Sequence, residues 1–125
     1  METQETQKTT LPEIKPEITF EEFLKLDIRL CQILSVEKVE GKDKLYKMEI
    51  NTGIDQRTVV SAIAQIYTPE ELRNKVLPFV LNLTPRKIAG IESKAMIILA
   101  ESQANHKTFQ ISAEDNVATI GSIVI

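Results

Sequence analysis

The residues best suited to chemistry in this chain are three cations on a connection that Pro and Gly interrupt. Arg86, Lys87 and Lys94 lie between the apolar runs Val76–Leu83 and Ala95–Ala100. Apolar runs bounded by Pro and Gly are typical of strands joined by a loop. Because strands hold such a loop in place, its side chains can present positive charge to a ligand. The spacing therefore predicts a loop that binds an anionic ligand.

Enzyme chemistry has little support in the sequence. The chain has one histidine, His106, in a polar stretch, and one cysteine, Cys31, beside apolar residues. One histidine and one cysteine are too few to form a His/Cys zinc site or an internal disulfide. No glycine-rich phosphate loop and no Gly-x-Ser-x-Gly motif is present. We expect His106 at the surface, Cys31 as a buried apolar residue rather than a reactive thiol, and neither a catalytic site nor a metal or other cofactor.

Charge is distributed unevenly along the chain. There are 15 basic and 18 acidic residues, and the net charge of −3 argues against a uniformly basic nucleic-acid surface. The segments Lys38–Lys47 and Arg86–Lys94 are nevertheless locally basic. Binding of nucleic acid to such local patches is expected to weaken with salt, because the affinity comes from neutralising phosphates.

The length of 125 residues fits one domain. Residues 1–17 contain Pro12 and Pro16 and almost nothing apolar, so we expect a disordered or extended tail. That tail is either a linker or docking segment, or simply a solvated terminus. The folded domain is expected over residues 18–125. No apolar run approaches the ~20 residues that cross a bilayer, and residues 1–8 are polar. We therefore expect a cytoplasmic protein with neither a secretory signal nor a membrane partner.

The folded part has the periodicity of a mainly β domain. Two Thr-x-x-Glu capping boxes, at Thr19 and Thr68, predict short helices over 20–26 and 69–73. Strands are predicted at 27–39, 44–51, 57–63, 76–83 and 94–101, with short terminal strands at 108–111 and 122–125. A change of parity within 27–39 predicts a bulge or bend. The element order is that of a five-stranded OB-fold barrel with short helices and a C-terminal β extension, although a sandwich of the same strand count remains open.

Four sequence blocks resemble the OB-fold tRNA-binding domains that are appended to methionyl-tRNA synthetases and also occur as free-standing proteins. The blocks are Asp27-Ile-Arg-Leu30, Glu40-Gly-Lys-Asp-Lys-Leu-Tyr46, Val60-Ser-Ala-Ile63 with Tyr67-Thr-Pro-Glu-Glu-Leu72, and Asn82–Met96, followed by a closing Gly121-Ser122. Together they cover the whole folded part. The resemblance implies an OB-fold barrel and tRNA as its ligand.

The resemblance also implies which residues meet the tRNA. Lys44, Ser93 and Met96 stand where the family has a Lys, a Ser and a Met associated with tRNA binding. The lysine would meet a phosphate as a point charge, the serine hydroxyl would donate to a phosphate or a 2′-hydroxyl, and the methionine would offer apolar surface to a base or ribose. Arg86 and Lys87 match the family's basic loop and would add phosphate contacts.

Asn82 and Arg29 are further candidates, each with an alternative. Asn82 is polar in an apolar strand, and it either binds a base edge or satisfies local backbone groups. Arg29 alternates with Ile28 and Leu30, so we expect its side chain to leave the core, toward the binding groove or toward water. Aromatic residues make up only 5% of the chain and Trp is absent, which is poor for base stacking. Recognition of folded tRNA by backbone and shape is therefore expected.

The function predicted is a non-catalytic, structure-directed tRNA-binding domain or β subunit that assists methionyl-tRNA synthetase by tethering tRNA. Met1 followed by a short tail favours a free-standing subunit. The resemblance implies a homodimer, in which the apolar finish Ile120–Ile125 forms the interface. The same residues are alternatively the last strand of the monomer's own sheet. Two other functions remain open, a dimeric polypeptide-binding chaperone of the same fold family and a protein-interaction scaffold module.

Overall fold

A computed structural model describes residues 11–111 and 120–125 of the chain, and strands dominate it. The helices are α1 (Phe20–Phe23) and α2 (Pro69–Leu72), and the strands are β1 (Ile28–Val39), β2 (Lys42–Asn51), β3 (Gln56–Ser61), β4 (Val76–Val80), β5 (Arg86–Ile88), β6 (Ile91–Ser93), β7 (Met96–Ile97), β8 (Leu99–Glu101) and β9 (Thr108–Gln110). The mainly β prediction is confirmed. Residues 11–17 are exposed and form neither helix nor strand, whereas residues 1–10 lie outside the described part. The boundary of the tail at residue 17 stays a prediction.

Five strands form one antiparallel sheet in the order β3-β2-β1-β4-β7. No strand ladder joins the two outer strands among the described residues, so the sheet is an OB-like barrel with an open seam between β3 and β7. Among the hydrogen bonds that cross this seam, two have backbone N–H donors: the Lys94 N–H donates to the Thr58 carbonyl at 3.0 Å, and the Val60 N–H donates to the Ser93 hydroxyl at 3.0 Å. The residues just before β7 are thereby held against β3.

Strand β1 pairs with both β2 and β4 and bends between them. Its register with β2 shifts between Ile33 and Ser35. Cys31 and Ile33 are buried before the shift and Val36 is buried after it, while Leu34 is exposed. The predicted change of parity is therefore a bulge, which lets one strand serve two parts of a curved sheet.

The core is filled by alternate residues of β2 and by residues that face them. Tyr46, Met48 and Ile50 are at most 2% exposed, and Leu72 of α2 is fully buried. Helix α2 begins at a complete capping box, in which the Thr68 N–H donates to a Glu71 carboxylate oxygen at 2.8 Å and the Glu71 N–H donates to the Thr68 hydroxyl at 3.3 Å. The cap fixes the start of a short helix that a four-residue sequence could not stabilise alone.

The connection expected to be a loop between residues 83 and 95 contains a β-hairpin instead. Strands β5 and β6 pair through Ile88 and Ile91, with Ala89 (φ 52°) and Gly90 (φ 80°) between them. Two consecutive residues with positive φ are the requirement of a type I′ turn, whose twist matches that of paired strands. The candidate cations are therefore placed on strands as well as on loops.

The predicted strand 94–101 is divided into β7 and β8, which belong to different sheets. Strand β7 pairs with β4, whereas β8 pairs with β9 in a separate two-stranded sheet. The division lies at Ile98, whose N–H donates to the Pro78 carbonyl at 3.0 Å. The change of partner explains why one continuous apolar run gives two short strands.

The C-terminal residues run beside β1 without forming the strand predicted at 122–125. The Gly121 N–H donates to the Leu30 carbonyl at 2.7 Å, the Leu30 N–H donates to the Ser122 carbonyl at 2.9 Å, and the Val124 N–H donates to the Ile28 carbonyl at 2.8 Å. A methyl group placed on Gly53 would lie 3.0 Å from the Gly121 Cα. Both glycines also have positive φ, so their backbones meet as only glycines can.

Candidate nucleic-acid interface

A pocket opens where the seam between β3 and β7 meets the β5–β6 hairpin. Its volume is about 110 Å³. Apolar side chains, three hydroxyl groups and one guanidinium line it, and we call it the seam pocket. The lining residues are Val60, Ser61, Leu83, Thr84, Arg86, Ile88, Ser93, Ala95, Met96 and Ile97. The structure thus brings three of the predicted site residues, Arg86, Ser93 and Met96, into one place.

The two adjacent cations of β5 are available to a ligand. Arg86 and Lys87 are exposed, and within the described residues neither side chain has a hydrogen bond or an ion pair. Lys94 differs, because its ammonium lies 4.0 Å from a Glu92 carboxylate oxygen. Unengaged cations on a rigid hairpin are suited to phosphate, since no internal partner must be displaced.

Met96 supplies an apolar surface to the same pocket. It pairs with Val80 across the β4–β7 ladder, and it remains 47% exposed. Its neighbour Ile97 is buried. The alternation expected of a strand therefore exposes the Met96 side chain at the surface and buries that of Ile97.

Lys44 lies in a second groove. We call this the tip groove, after the β1–β2 turn beside it, and its volume is about 450 Å³. Its lining residues are Gly41, Lys42, Asp43, Lys44, Leu45, Ala62 and Gln65. Ser61, the last residue of β3, lines the seam pocket, and the next residue, Ala62, lines the tip groove. Lys44 is exposed, and its carbonyl accepts a hydrogen bond from the Ala64 N–H at 3.0 Å.

The Ser93 hydroxyl is already engaged inside the protein. The side chain is 7% exposed, its oxygen accepts from the Val60 N–H at 3.0 Å, and the hydroxyl donates to the Ala95 carbonyl at 3.3 Å. A hydroxyl in this state has no proton left to donate to a phosphate or a 2′-hydroxyl. The geometry therefore favours a supporting part for Ser93, in which it holds the seam rather than the ligand.

Asn82 is engaged at both ends of its side chain. Its Oδ1 accepts from the Asp27 N–H at 2.8 Å, and its Nδ2 donates to the Lys25 carbonyl at 2.6 Å. Of the two alternatives open in the sequence, the structure has the one in which Asn82 satisfies local backbone groups. Asn82 does not line the seam pocket, although the next residue, Leu83, does.

Arg29 lies on the same face of β1 as core residues, but its side chain is half-buried and is not enclosed in the core. It shares parity with buried Cys31 and pairs with fully buried Phe79. Its Nε donates to an Asp27 carboxylate oxygen at 2.8 Å, and this hydrogen bond is the main cause of a raised Arg29 pKa. Ile28 and Leu30, with which it alternates, are also half-buried.

Arg57 is a residue whose importance the sequence analysis missed. Its Nη1 donates to the Leu81 carbonyl at 2.7 Å and to the Lys94 carbonyl at 3.2 Å, while its Nε lies 3.1 Å from an Asp55 carboxylate oxygen. Arg57 thus ties β3 to both ends of the segment that carries the hairpin. One signal was present, since Asp55-x-Arg57 repeats the spacing of Asp27-x-Arg29.

Cys31 and His106 are placed as the sequence predicts. Burial raises the pKa of the Cys31 thiol to about 11, so the thiol stays protonated and unreactive near neutral pH. His106 is exposed, with its Nδ1 3.6 Å from a Glu101 carboxylate oxygen. In the described ranges, no group of three His, Cys, Asp or Glu residues could hold a metal ion. None of the described helices is long and apolar enough to cross a membrane.

A family model and sequence relatives both match this chain to proteins that act on tRNA. The model described as "Putative tRNA binding domain" matches residues 28–122. A methionine–tRNA ligase of Porphyromonas gingivalis is 52% identical over 88 residues, and one of Archaeoglobus fulgidus is 49% identical over 89 residues. These matches take in 70% and 71% of this chain but only 13% and 14% of the ligases. The chain therefore spans a small part of the curated relatives it matches.

Solved structures share the fold over nearly the whole described chain. A MetRS related protein from Pyrococcus horikoshii has a TM-score of 0.82 and 34% identity, and the match covers 89% of this chain and 100% of that one. A CsaA chaperone protein from Picrophilus torridus has a TM-score of 0.77 and 26% identity, with coverage of 87% and 100%. A protein described as related to MetRS and a protein described as a chaperone thus share this architecture.

Proposed function

The chain belongs to the tRNA-binding domain family, whose model spans β1 to Ser122, and we propose that it binds folded tRNA without catalysing a reaction. The observation that carries this proposal is the pair of unengaged cations, Arg86 and Lys87, beside the seam pocket. The backbone of RNA supplies anionic groups to the cations, while its sugars and bases supply apolar surface to the pocket. The same surface requires no metal or cofactor.

The cations are proposed to contact successive parts of the tRNA backbone. Lys44 approaches a phosphate from the tip groove, and Arg86 and Lys87 approach others from the hairpin. Each such contact contributes ~0.7–0.9 to the slope of the logarithm of affinity against the logarithm of salt concentration. Met96 contacts a base or ribose between them. The net charge of −3 confines this binding to local groups of cations, and the binding is sensitive to salt because each contact neutralises a phosphate.

Ser93, Asn82 and Arg29 belong to the proposed site as positioning residues. Ser93 holds the residues before β7 against β3. Asn82 fixes the Lys25–Asp27 backbone next to the segment that leads into the pocket. Arg29 orders Asp27 through its ion pair. Each therefore affects tRNA affinity through the geometry of the surface.

We further propose that the domain assists a methionyl-tRNA synthetase by holding tRNA near it. The support is the similarity to a segment of methionine–tRNA ligases and to a MetRS related protein. A tethered tRNA has a high effective concentration at the synthetase, so weak, structure-directed binding is sufficient. This role, as a β subunit or as one domain of a longer chain, places the protein in the cytoplasm, where translation occurs.

A homodimer is proposed to present two copies of this surface. The C-terminal side chains support it: Ile123 is 59% exposed and Ile125 is fully exposed, although their backbone is ordered beside β1. Apolar side chains on an ordered segment are suited to an isologous contact. Two basic surfaces related by a two-fold axis would then meet one tRNA asymmetrically.

A polypeptide-binding chaperone is the second candidate function. The observation in its favour is the shared fold with the CsaA chaperone protein from Picrophilus torridus. A polypeptide client would bind through apolar contacts, which salt does not weaken. Salt dependence therefore separates the two candidates. A protein-interaction scaffold is less favoured, since the unengaged cations would then have no ligand.

Titration against two RNAs at two salt concentrations tests the proposed function. The ligands are a folded tRNA and a single-stranded RNA of equal length, at about 50 and 200 mM salt. We expect tighter binding to tRNA, weakened by salt, and a salt slope that falls by ~1.4–1.8 in Lys44→Ala/Arg86→Ala, at ~0.7–0.9 for each lost contact.

The control is Lys15→Ala/Arg73→Ala, which also removes one lysine and one arginine but touches neither the seam pocket nor the tip groove. It should bind as the wild-type protein does, apart from a small effect of net charge. Absence of salt-sensitive tRNA binding by the wild-type protein would overturn the proposed function and direct attention to unfolded polypeptides.

A further inference from the structure

Within the part of the chain that the structure describes, two hydroxyl groups of the seam pocket have no hydrogen-bond partner. Ser61 is half-buried at the end of β3 and Thr84 is exposed on the connection from β4 to β5. Among the described residues, neither hydroxyl makes a hydrogen bond, whereas the third hydroxyl of the pocket, that of Ser93, makes two. Ser61 and Thr84 therefore leave donors and acceptors free on a pocket that is already partly enclosed.

The rest of the pocket is apolar on its walls and cationic at one side. Leu83, Ile88 and Met96 provide the apolar walls, and the unengaged guanidinium of Arg86 provides the charge. A ligand that matches all these groups has flat apolar faces, a polar edge and an anionic group attached to it. A nucleotide of RNA has these three properties together.

The size of the pocket suits a single ring system. Its volume of about 110 Å³ is comparable to that of one nucleobase. A base held in a duplex cannot enter, because its faces are covered and its polar edge is paired. The pocket would therefore distinguish RNA that offers an unpaired base from RNA that does not.

We propose that the seam pocket receives one unpaired nucleobase of the bound tRNA, with the Arg86 guanidinium on a phosphate of the same nucleotide. This inference rests on the proposed function and adds a base contact to recognition by backbone and shape. Met96 contacts a face of the base in place of the aromatic side chains that this chain mostly lacks, and the Ser61 and Thr84 hydroxyls meet its polar edge.

A variant that fills the pocket without changing its charge tests this inference. Ser61→Leu places a larger apolar side chain in the pocket. Ser35→Leu is the matched control, since Ser35 is also a half-buried strand serine without a hydrogen bond within the described chain, and it does not line the pocket. Both are titrated against tRNA and against a fully paired RNA duplex with the same number of phosphates.

We expect Ser61→Leu to bind tRNA roughly 10-fold more weakly, the typical effect of losing one base contact on a protein surface. Its affinity for the duplex and its salt slope should stay at the wild-type values, because no cation is removed. Ser35→Leu should bind both RNAs as the wild-type protein does. Circular dichroism and thermal unfolding establish that each variant is folded.

A second readout follows the base itself. Dimethyl sulfate modifies exposed base nitrogens of unpaired adenosines and cytidines, and primer extension locates the modified positions. With a tRNA whose loops carry these bases, the wild-type protein should protect at least one of them, and Ser61→Leu should restore its reactivity.

Thr84→Val keeps the shape of the pocket and removes one hydroxyl. This variant should therefore bind tRNA more weakly while its affinity for the duplex stays unchanged. It provides the test of the inference if Ser61→Leu fails to fold.

Three results would overturn the inference. One is a Ser61→Leu variant that is folded and binds tRNA as tightly as the wild-type protein. Another is an equal loss of affinity for tRNA and duplex, which would mean that the substitution disturbs the surface as a whole. The third is a wild-type protein that does not bind tRNA, in which case the proposed function fails too. If the wild-type protein shows salt-sensitive binding to tRNA and Ser61→Leu binds tRNA with the same affinity, the base-pocket proposal fails while the proposed function stands.

Discussion

Arg57 has an unusual position for a charged side chain. It pairs with fully buried Ile50 on the core side of the β2–β3 ladder, yet its guanidinium donates to carbonyl groups at residues 81 and 94. Those carbonyls lie just beyond β4 and just before β7. The side chain thus replaces the backbone ladder that would otherwise close the barrel at the seam. Together with the Lys94 N–H and the Ser93 hydroxyl, Arg57 keeps the hairpin segment, and with it the candidate interface, in register with β3.

Loss of this guanidinium should destabilise the fold measurably. Arg57→Met keeps an unbranched stem but leaves the Leu81 and Lys94 carbonyls without their donor. Hydrogen bonds to charged groups contribute about 1.5–3 kcal/mol, so we expect the free energy of unfolding to fall by about 2–3 kcal/mol in urea titrations. Arg73→Met, at an exposed position, should change it by less than ~0.5 kcal/mol. Equal effects of the two substitutions would contradict the role given to Arg57.

Asp55, the ion-pair partner of Arg57, makes the stability of the fold depend on pH in the acid range. Hydrogen bonds from the Thr52 hydroxyl and then from Arg57 hold the pKa of Asp55 below its usual value of 3.8. A pKa that is lower in the folded state gives stability that is complete above the unfolded pKa and is lost as pH falls through the folded one. The acid-induced loss of stability below pH 3.8 should therefore be shallower in Asp55→Asn, as measured by urea unfolding across a pH series.

The control for this pH series is Glu13→Gln, an exposed carboxyl in residues 11–17. It should leave the acid limb of the stability curve at its wild-type slope. A wild-type slope in Asp55→Asn would mean that the native hydrogen bonds of Asp55 do not contribute to stability in acid.

The exposure of the candidate residues Lys44, Arg86 and Met96 was predictable from the sequence, whereas the internal hydrogen bonds of Ser93 and Asn82 were not. Lys44, Arg86 and Met96 needed only a short motif and a place outside the core. Ser93 and Asn82 depend on partners far along the chain, 33 and 55 residues away. A local sequence pattern cannot reveal contacts between residues so far apart along the chain. The hydrogen-bond partners of Ser93 and Asn82 could therefore be known only from the fold. The face of β1 on which Arg29 lies also follows from the fold, because it is set by the pairing of β1 with β4.

At the scale of elements, long strands and capped helices were predicted well and short strands were not. The ten residues of β2 alternate over several periods, and both capping boxes are complete within four residues. The strands β5 and β6 have three residues each, which is too few to show a period. Their turn is also atypical, since Ala89 rather than Asn or Asp takes the first position with positive φ.

A better turn residue should stabilise the hairpin. Ala89→Asn puts a residue that tolerates positive φ before Gly90, and we expect the free energy of unfolding to rise by ~0.5–1 kcal/mol. Ala104→Asn is the matched control at a loop position without positive φ, where no gain is expected. Chemical denaturation measures both, and a loss of stability in Ala89→Asn would show that the turn does not limit the hairpin. Affinity for tRNA should not change, because the turn lies outside the seam pocket.

At the scale of the whole molecule, substitutions of the exposed C-terminal side chains test whether the chain forms a homodimer. Ile123→Glu/Ile125→Glu places charges where we propose a dimer contact, so sedimentation should show a monomer where the wild-type protein sediments as a dimer. Affinity for tRNA should fall as well, because only one basic surface would remain. Ile14→Glu/Ile66→Glu makes the same change at two other exposed isoleucines and should leave the dimer intact. A wild-type monomer at micromolar concentration would contradict the dimer proposal.

The backbone of the same C-terminal residues has a consequence for solubility. Beyond the end of the β2 ladder, β1 would expose the N–H of Leu30 and the carbonyls of Ile28 and Leu30, and Gly121–Val124 satisfies all three. An uncovered strand edge is a template on which another copy can add a strand. A chain truncated before Gly121 would present that template, flanked by apolar side chains. We therefore expect Gly121–Val124 to protect the chain from aggregating through the edge of β1.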